Sequence, residues 1–174
     1  SQHSTISSDL NLFIKKAKKQ GFNGAVLISQ RGVILYQKIF GYANMSEKDS
    51  LTLNSSFQLA SISKTFTATA TLLLAQDGNL NLSDSIQQYI PSFPYHGITI
   101  ENLLSHRSGL PNYLYCFEDN RKLNKAAPDN ETILRWFEEA NPLPAPYNKP
   151  DKTFSYNNTN FILLASIIEK ASEM

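Results

Sequence analysis

Apolar residues recur at Leu10, Phe13, Ile14 and Ala17 with lysines opposite them, the spacing of an amphipathic helix over residues 8–20. Ser7 or Ser8 stands where its cap belongs and Gly21 where it ends. Gln2, His3, Ser4 and Ser7-Ser8 read as a loose lead-in. The period then changes. Gly24–Ser29 and Val33–Ala43 are rich in β-branched and aromatic residues around a turn at Gln30-Arg31-Gly32, which predicts a hairpin. Asn44–Asn54 is polar and reads as a loop, leading to an extended approach near Phe57. A helix that is apolar almost all round begins just after Ser61 and stops at Gln76-Asp77-Gly78, as expected of a helix buried at the centre of a domain.

Beyond Gly78 the elements shorten. Leu82–Ile90 predicts a short helix with Pro91 past its end, and Thr99–Ser105 another with Thr99 as cap. Ser108–Pro111 is a turn, and residues 112–128 carry no clear period. Asn130–Ala140 reads as a helix with Ile133, Leu134, Trp136 and Phe137. Asn141–Lys152 holds four prolines and must be an extended loop. Thr159–Met174 closes the chain with a helical stripe of Phe161, Ile162, Leu164, Ala165, Ile168 and Ala171.

Composition narrows the class. The 174 residues are 41 % hydrophobic and 18 % charged, which is globular rather than disordered, and the net charge of +1 offers no basic excess for nucleic acid. Lys15-Lys16-Ala17-Lys18-Lys19 reads as the wet side of the first helix. Cys116 is the single cysteine, so cysteine usage does not define a compartment. No apolar run of about 18 residues predicts a membrane span. The chain opens on Ser1 without an apolar leader, so a leader was removed or the chain begins there. The histidines and Cys116 show no metal-ligand spacing, and neither metal nor cofactor is expected.

The chemistry concentrates at Ser61-Ile62-Ser63-Lys64. Residues three apart are neighbours on a helix face, so the Lys64 amine hangs beside the Ser61 hydroxyl. A serine hydroxyl becomes nucleophilic when a nearby base takes its proton. The N–H groups at the start of the following helix suit an oxyanion forming near Ser61. With 19 Ser and 12 Lys in the chain, about one Ser-x-x-Lys arises by chance, so the motif needs its context.

That context is a resemblance. The opening hairpin Gly24–Asn44, the Phe57–Ala68 stretch, Ile98–Pro111 (I-T-I-E-N-L-L-S-H-R-S-G-L-P) and Phe154–Lys170 resemble, in order and spacing, the serine β-lactamase and penicillin-binding-protein family. The closer likeness is to its class C β-lactamase and D-alanyl-D-alanine carboxypeptidase branch. The resemblance implies an α/β (α+β) β-lactamase/transpeptidase-like fold. Residues 1–58 would supply the first part of the α/β domain and residues 59–174 the nucleophile helix and helical region. It makes Ser61 the acylated nucleophile and Lys64 the group assisting its deprotonation. Tyr156-Asn157-Asn158 takes the place of the family's Tyr-x-Asn: Tyr156 shuttles a proton, and Asn158 bonds the substrate and holds Lys64.

Competing readings rank below this one. Tyr42-Ala43-Asn44 also matches Tyr-x-Asn, but stands at a strand end before Ser61, where a buried structural tyrosine is expected. His106 invites a Ser-His-Asp triad with Asp77 or Asp84, yet its Leu-Leu-Ser-His-x-Ser-Gly-Leu-Pro setting is structural in the resembled family. Arg107-Ser108-Gly109 is read as structural too.

The likeness has a gap. The family's third motif, Lys/His-x-Gly on a core strand towards the far end, is absent, and family chains run to roughly twice this length. The expectation is an incomplete fold lacking its C-terminal strands and final helix, inactive alone, whose partner is that remaining half as a separate segment or chain. The activity implied is hydrolysis of a β-lactam, a D-Ala-D-Ala peptide or a small ester, on a periplasmic, secreted or cell-surface bacterial protein. The alternatives are a penicillin-acylated sensor and a non-catalytic scaffold of the same fold.

Overall fold

The computed structural model describes residues 2–116 and 128–172, with side chains from residue 8 onward. The chain divides into two compact units, Ser1–Gln58 and Leu59–Met174.

In the first unit α1 runs Gln2–Lys19. It starts well before the expected capping serines, because once a helix has nucleated each further residue adds a backbone bond at little cost. Its end is as expected. Gly21 takes φ 90, its N–H reaches the Lys18 carbonyl, and the Phe22 N–H reaches Ala17, which closes α1 in a Schellman turn. Strands β1 (Gly24–Gln30) and β2 (Val33–Phe40) pair antiparallel. Arg31 and Gly32, the two loop residues, both have positive φ, as a tight twisted hairpin of the primed type requires. α1 rests on β2 and buries Ile14, whereas Phe13, expected inside, is exposed.

The polar run after β2 is more ordered than a loop. β3 (Tyr42–Asn44) pairs with β4 (Asp49–Ser50) around a turn in which Asn44 Oδ1 accepts the Ser46 N–H. Tyr42 is exposed rather than buried. Its backbone, not its ring, is what the fold uses: its N–H and carbonyl both bond the Asn23 side chain. Among the described residues no ladder strand follows β4, only a single bridge between Ser85 and Thr99.

The second unit is helical. A 3₁₀ turn at Ala60–Ile62 leads into α2 (Ser63–Gln76), which ends at Gly78 as expected, with φ 78 and the Asn79 N–H on the Leu74 carbonyl. The predicted helix at 82–90 shrinks to one 3₁₀ turn, Ile86–Gln88. The Asp84 carboxylate takes the Asn81 N–H and the Tyr89 hydroxyl, and Ile86 and Ile100 use their N–H groups in the bridge. Local side-chain bonds thus outcompete the helix. α3 (Ile100–Leu104) begins in a capping box in which Thr99 and Asn102 exchange bonds, Asn102 standing where Glu or Gln is usual. α4 is the short Tyr113–Cys116. α5 (Asn130–Glu139) starts on the Asp129 side chain, which accepts the Thr132 N–H. Residues 141–152 form the expected loop, and α6 runs Thr159–Ala171. The last two residues of the expected closing helix, and most of the 112–128 stretch, lie outside the described residues.

The buried centre of this unit is α6, not α2. Leu163, Leu164 and Ile167 are fully buried, and α6 packs against α2, α3 and α5. On α2 only Thr71 is buried, while Phe66, Leu72 and Leu73 are exposed. An all-apolar helix signals a demand for burial, and here α6 meets that demand on one face of α2 alone. A cluster of Phe93, Tyr95 and Phe137, with ring centroids 5.5–5.9 Å apart, completes the core. The Tyr95 hydroxyl donates to the Pro144 carbonyl at 2.6 Å and so ties down the proline loop.

Truncating the fully buried Leu163 to alanine is expected to cost about 2–5 kcal/mol, read as a lower urea midpoint at unchanged slope. Gly109→Ala is expected to destabilise as well. Gly109 has φ 72, and a Cβ there would run into the Asn148 carbonyl.

Candidate active site

The site grows out of one backbone kink. Ala60 has φ 46, a left-handed conformation that costs a non-glycine residue about 1–2 kcal/mol. That kink turns the incoming chain into the 3₁₀ turn and leaves Ser61 at the elbow. Lys64 follows one turn later, half-buried, and its Nζ donates to Ser61 Oγ at 3.3 Å. The first turn of α2 carries no acidic residue and no side-chain cap, so the positive end of the helix is not neutralised locally.

The second contribution arrives from 95 residues away. Tyr156 donates its hydroxyl to Ser61 Oγ at 2.7 Å, and Lys64 Nζ donates to Asn158 Oδ1 at 2.7 Å. Lys64 Nζ also lies 5.0 Å from the Tyr156 ring centroid and 5.6 Å from that of Phe161. All four residues singled out in the sequence, Ser61, Lys64, Tyr156 and Asn158, are therefore in one connected cluster. Tyr42, the rival tyrosine, lies in the first unit.

Buried polar groups hold the two stretches together. Asn157, which the Tyr-x-Asn pattern leaves unspecified, is almost fully buried. Its Nδ2 donates to the Leu110 carbonyl at 2.6 Å, and its Oδ1 accepts the Thr159 N–H at 2.9 Å. Thr159 donates its hydroxyl to Pro111, and Asn160 accepts from the Ser108 hydroxyl and donates to the Leu103 carbonyl. The Asp151 N–H donates to the Arg107 carbonyl, the Arg107 guanidinium donates to the Asp151 carbonyl, and Asn102 donates to the Asp151 carboxylate. The Arg107-Ser108-Gly109 turn is thus a clamp on the 147–160 segment. No buried side-chain polar atom among the described residues is left unpaired, as a well-formed polar core requires. The missed signal was the polar run Asn157–Asn160 leading straight into an apolar helix.

His106 does not form a triad. Its Nδ1 accepts the Asn157 N–H at 3.1 Å, the position a carboxylate would need, and Asp84 is engaged with Tyr89 and Asn81. Among the described residues no group of three His, Cys, Asp or Glu could hold a metal ion. Cavities of about 410 and 420 Å³ lie elsewhere on this unit and include none of the four clustered residues.

Electrostatics differentiates the cluster. The Lys64 hydrogen bond, then that of Ser61, pulls the Tyr156 pKa below the usual phenol value. Burial, and then the Lys64 charge, pulls the His106 pKa below the usual imidazole value. One cation thus favours the phenolate and disfavours the imidazolium.

The family described as Beta-lactamase matches residues 11–174, and the chain belongs to that family. It is 44 % identical over 163 residues to penicillin-binding protein 4* of Bacillus subtilis (strain 168), covering 94 % of this chain and 36 % of the relative. Among solved structures it is similar to a penicillin binding protein from Bacillus halodurans, with TM-score 0.73 and 26 % identity, covering 90 % of this chain and 47 % of that one. It is also similar to a D-amino acid amidase from Ochrobactrum anthropi SV3, with TM-score 0.67 and 27 % identity, covering 86 % and 40 %. The fold is that of the β-lactamase/transpeptidase proteins, and the chain spans about a third of the length of its Bacillus subtilis relative. No helix among the described residues is long and apolar enough to cross a membrane.

Titrating Tyr156 through its ring ¹³Cζ signal is expected to give a midpoint below about 10, moving up when Lys64 is replaced by methionine. An unmoved midpoint would remove Lys64 as the cause.

Proposed function

We propose that the chain carries the nucleophile-bearing part of a serine hydrolase that works through an acyl-enzyme on Ser61. The observation that carries this reading is the contact of the Ser61 hydroxyl with both the Lys64 amine and the Tyr156 phenol. Substrates are amide-like or ester-like carbonyl compounds: a β-lactam, a D-Ala-D-Ala peptide or a small ester. Similarity to a penicillin-binding protein and to a D-amino acid amidase supports that class. In this proposal residues 1–58 belong to the sheet domain and residues 59–174 to the helical region. The site of action is extracytoplasmic, and turnover draws on more of the protein than this chain.

Tyr156, as the phenolate favoured by Lys64, removes the Ser61 proton, and Ser61 Oγ bonds to the substrate carbonyl carbon. The tetrahedral oxyanion forms near the start of α2, where helix N–H groups favour negative charge. Tyr156 returns the proton to the leaving nitrogen or oxygen as its bond to carbon breaks. Water then releases the acyl group by the reverse proton path. Asn158 holds Lys64 in place and offers its amide to the substrate. Because the base is the deprotonated phenol, acylation rises with pH through the lowered Tyr156 pKa and falls away below it.

In the full-length protein a β-lactam or fluorophosphonate adduct is expected on Ser61 by mass spectrometry, and it is lost in Ser61→Ala. Tyr156→Phe and Lys64→Met are expected to slow acylation by about 10²–10⁴-fold. An undiminished rate in Ser61→Ala sinks the reading.

A further inference from the structure

We propose that His106 is a positioning residue that seats the Tyr156 phenol on Ser61 by gripping the backbone on either side of it. The proposal rests on the acyl-enzyme reading only for its kinetic consequences; its geometry stands apart. The His106 carbonyl accepts the Ser155 N–H at 2.8 Å, and His106 Nδ1 accepts the Asn157 N–H at 3.1 Å. One residue therefore takes the N–H groups immediately before and immediately after Tyr156. Its ring lies over the Tyr156 ring as well, with centroids 4.6 Å apart and planes tilted by 34°. Phe154 and Phe161, at 5.8 and 5.2 Å, confine the imidazole from other sides.

The backbone of His106 is bent to allow this. Its φ of 55 is the left-handed conformation, uncommon for a non-glycine residue and better tolerated by His, Asn and Asp than by most. The bend orients carbonyl and side chain so that both meet the same passing stretch. The chemistry also demands a neutral ring. Nδ1 accepts a bond only when it carries no proton, which places the ring hydrogen on Nε2. A protonated ring would set an N–H against the Asn157 N–H and break one side of the grip. The surroundings oppose that protonation through burial and the nearby Lys64 charge. Among the described residues, the titratable groups facing Tyr156 are Lys64 from α2 and His106 from the turn after α3.

A displacement of about 1 Å in a reacting group can cost 10²-fold in rate, so a phenol held on one side only should react slowly. Two substitutions separate the contacts. His106→Asn tolerates the left-handed backbone and keeps a short side-chain acceptor but removes the ring. His106→Gly removes both side-chain contacts and leaves the carbonyl. In the full-length protein, acylation of Ser61 by a fluorescent penicillin is expected to slow about 10-fold in His106→Asn and about 100-fold in His106→Gly. The fraction of sites finally labelled should stay near that of the unsubstituted protein. The rising limb of the pH–rate profile is expected to move to higher pH, because a phenol that leaves Lys64 regains its ordinary acidity.

A merely structural histidine predicts the opposite pattern, a smaller labelled fraction with unchanged rate and limb, and that result overturns the proposal. The Tyr156 ¹³Cζ titration reads the same claim without acylation. His106→Gly is expected to raise its midpoint, and an unmoved midpoint overturns the positioning role even if the unsubstituted protein never acylates. Failure of the unsubstituted protein to label Ser61, with a shifted midpoint in His106→Gly, would instead overturn the acyl-enzyme reading and leave the positioning role standing.

Discussion

Everything at this site depends on holding a segment that begins near residue 155 against a turn that begins near residue 106. The fastening is polar and buried. Asn157, Thr159 and Asn160 are almost wholly removed from solvent, and each bonds the 103–112 stretch. A hydrogen bond of this kind adds only about 0.5–1.5 kcal/mol net, but breaking one strands a partner at a cost of about 1–3 kcal/mol. The asymmetry makes such a fastening specific. A slip by one residue would leave several carbonyls and amides unpaired at once, so one register is strongly preferred. Tyr156 and Asn158 sit at alternate places along the fastened segment, and their meeting with Ser61 and Lys64 follows from that register.

The apolar core supplies the rigidity on which the fastening rests. α6 begins at the fastened segment itself, since Thr159 and Asn160 are its first two residues, and its next turns bury Leu163, Leu164 and Ile167. Because α6 also packs on α2, the helix that carries Lys64 and the helix that follows Asn158 are mutually located by one packed contact. The 2.7 Å bond between Lys64 and Asn158 spans that same contact. Packing brings the helices together, and the bond determines which side chains face each other.

Much of this was legible in the chain, for particular reasons. Ser61 and Lys64 could be paired from spacing alone, because three residues on a helix is a distance that the backbone enforces. The ends of α1 and α2 were legible because Gly21 and Gly78 do what few other residues do at low cost. Tyr156 and Asn158 needed the family pattern, since nothing local says that a residue nearly a hundred places away will arrive. The run at 82–90 is only one 3₁₀ turn because the Asp84 carboxylate accepts from Asn81 and Tyr89, local side-chain bonds that apolar periodicity does not register. Apolar content measured how much surface α2 would bury if covered, not how much its neighbours do cover, so α6 took the place expected of α2. The part played by Asn157 was hidden in the unspecified position of a three-residue motif.

The arrangement also resolves an apparent conflict in the electrostatics. A phenolate would ordinarily favour protonation of a nearby imidazole, because an anion stabilises a cation beside it. Lys64 removes the conflict by standing close to both rings. Its hydrogen bond favours loss of the Tyr156 proton, while burial of the imidazole, and then the Lys64 charge, opposes gain of one by His106. The two shifts run the same way, leaving one ring readier to carry charge and the other neutral. Both favour the deprotonated form, a ring nitrogen of His106 free to accept and a phenol readier to lose its proton. In the proposed mechanism the neutral ring thus keeps its hold on the Asn157 N–H while the phenol gives up its proton.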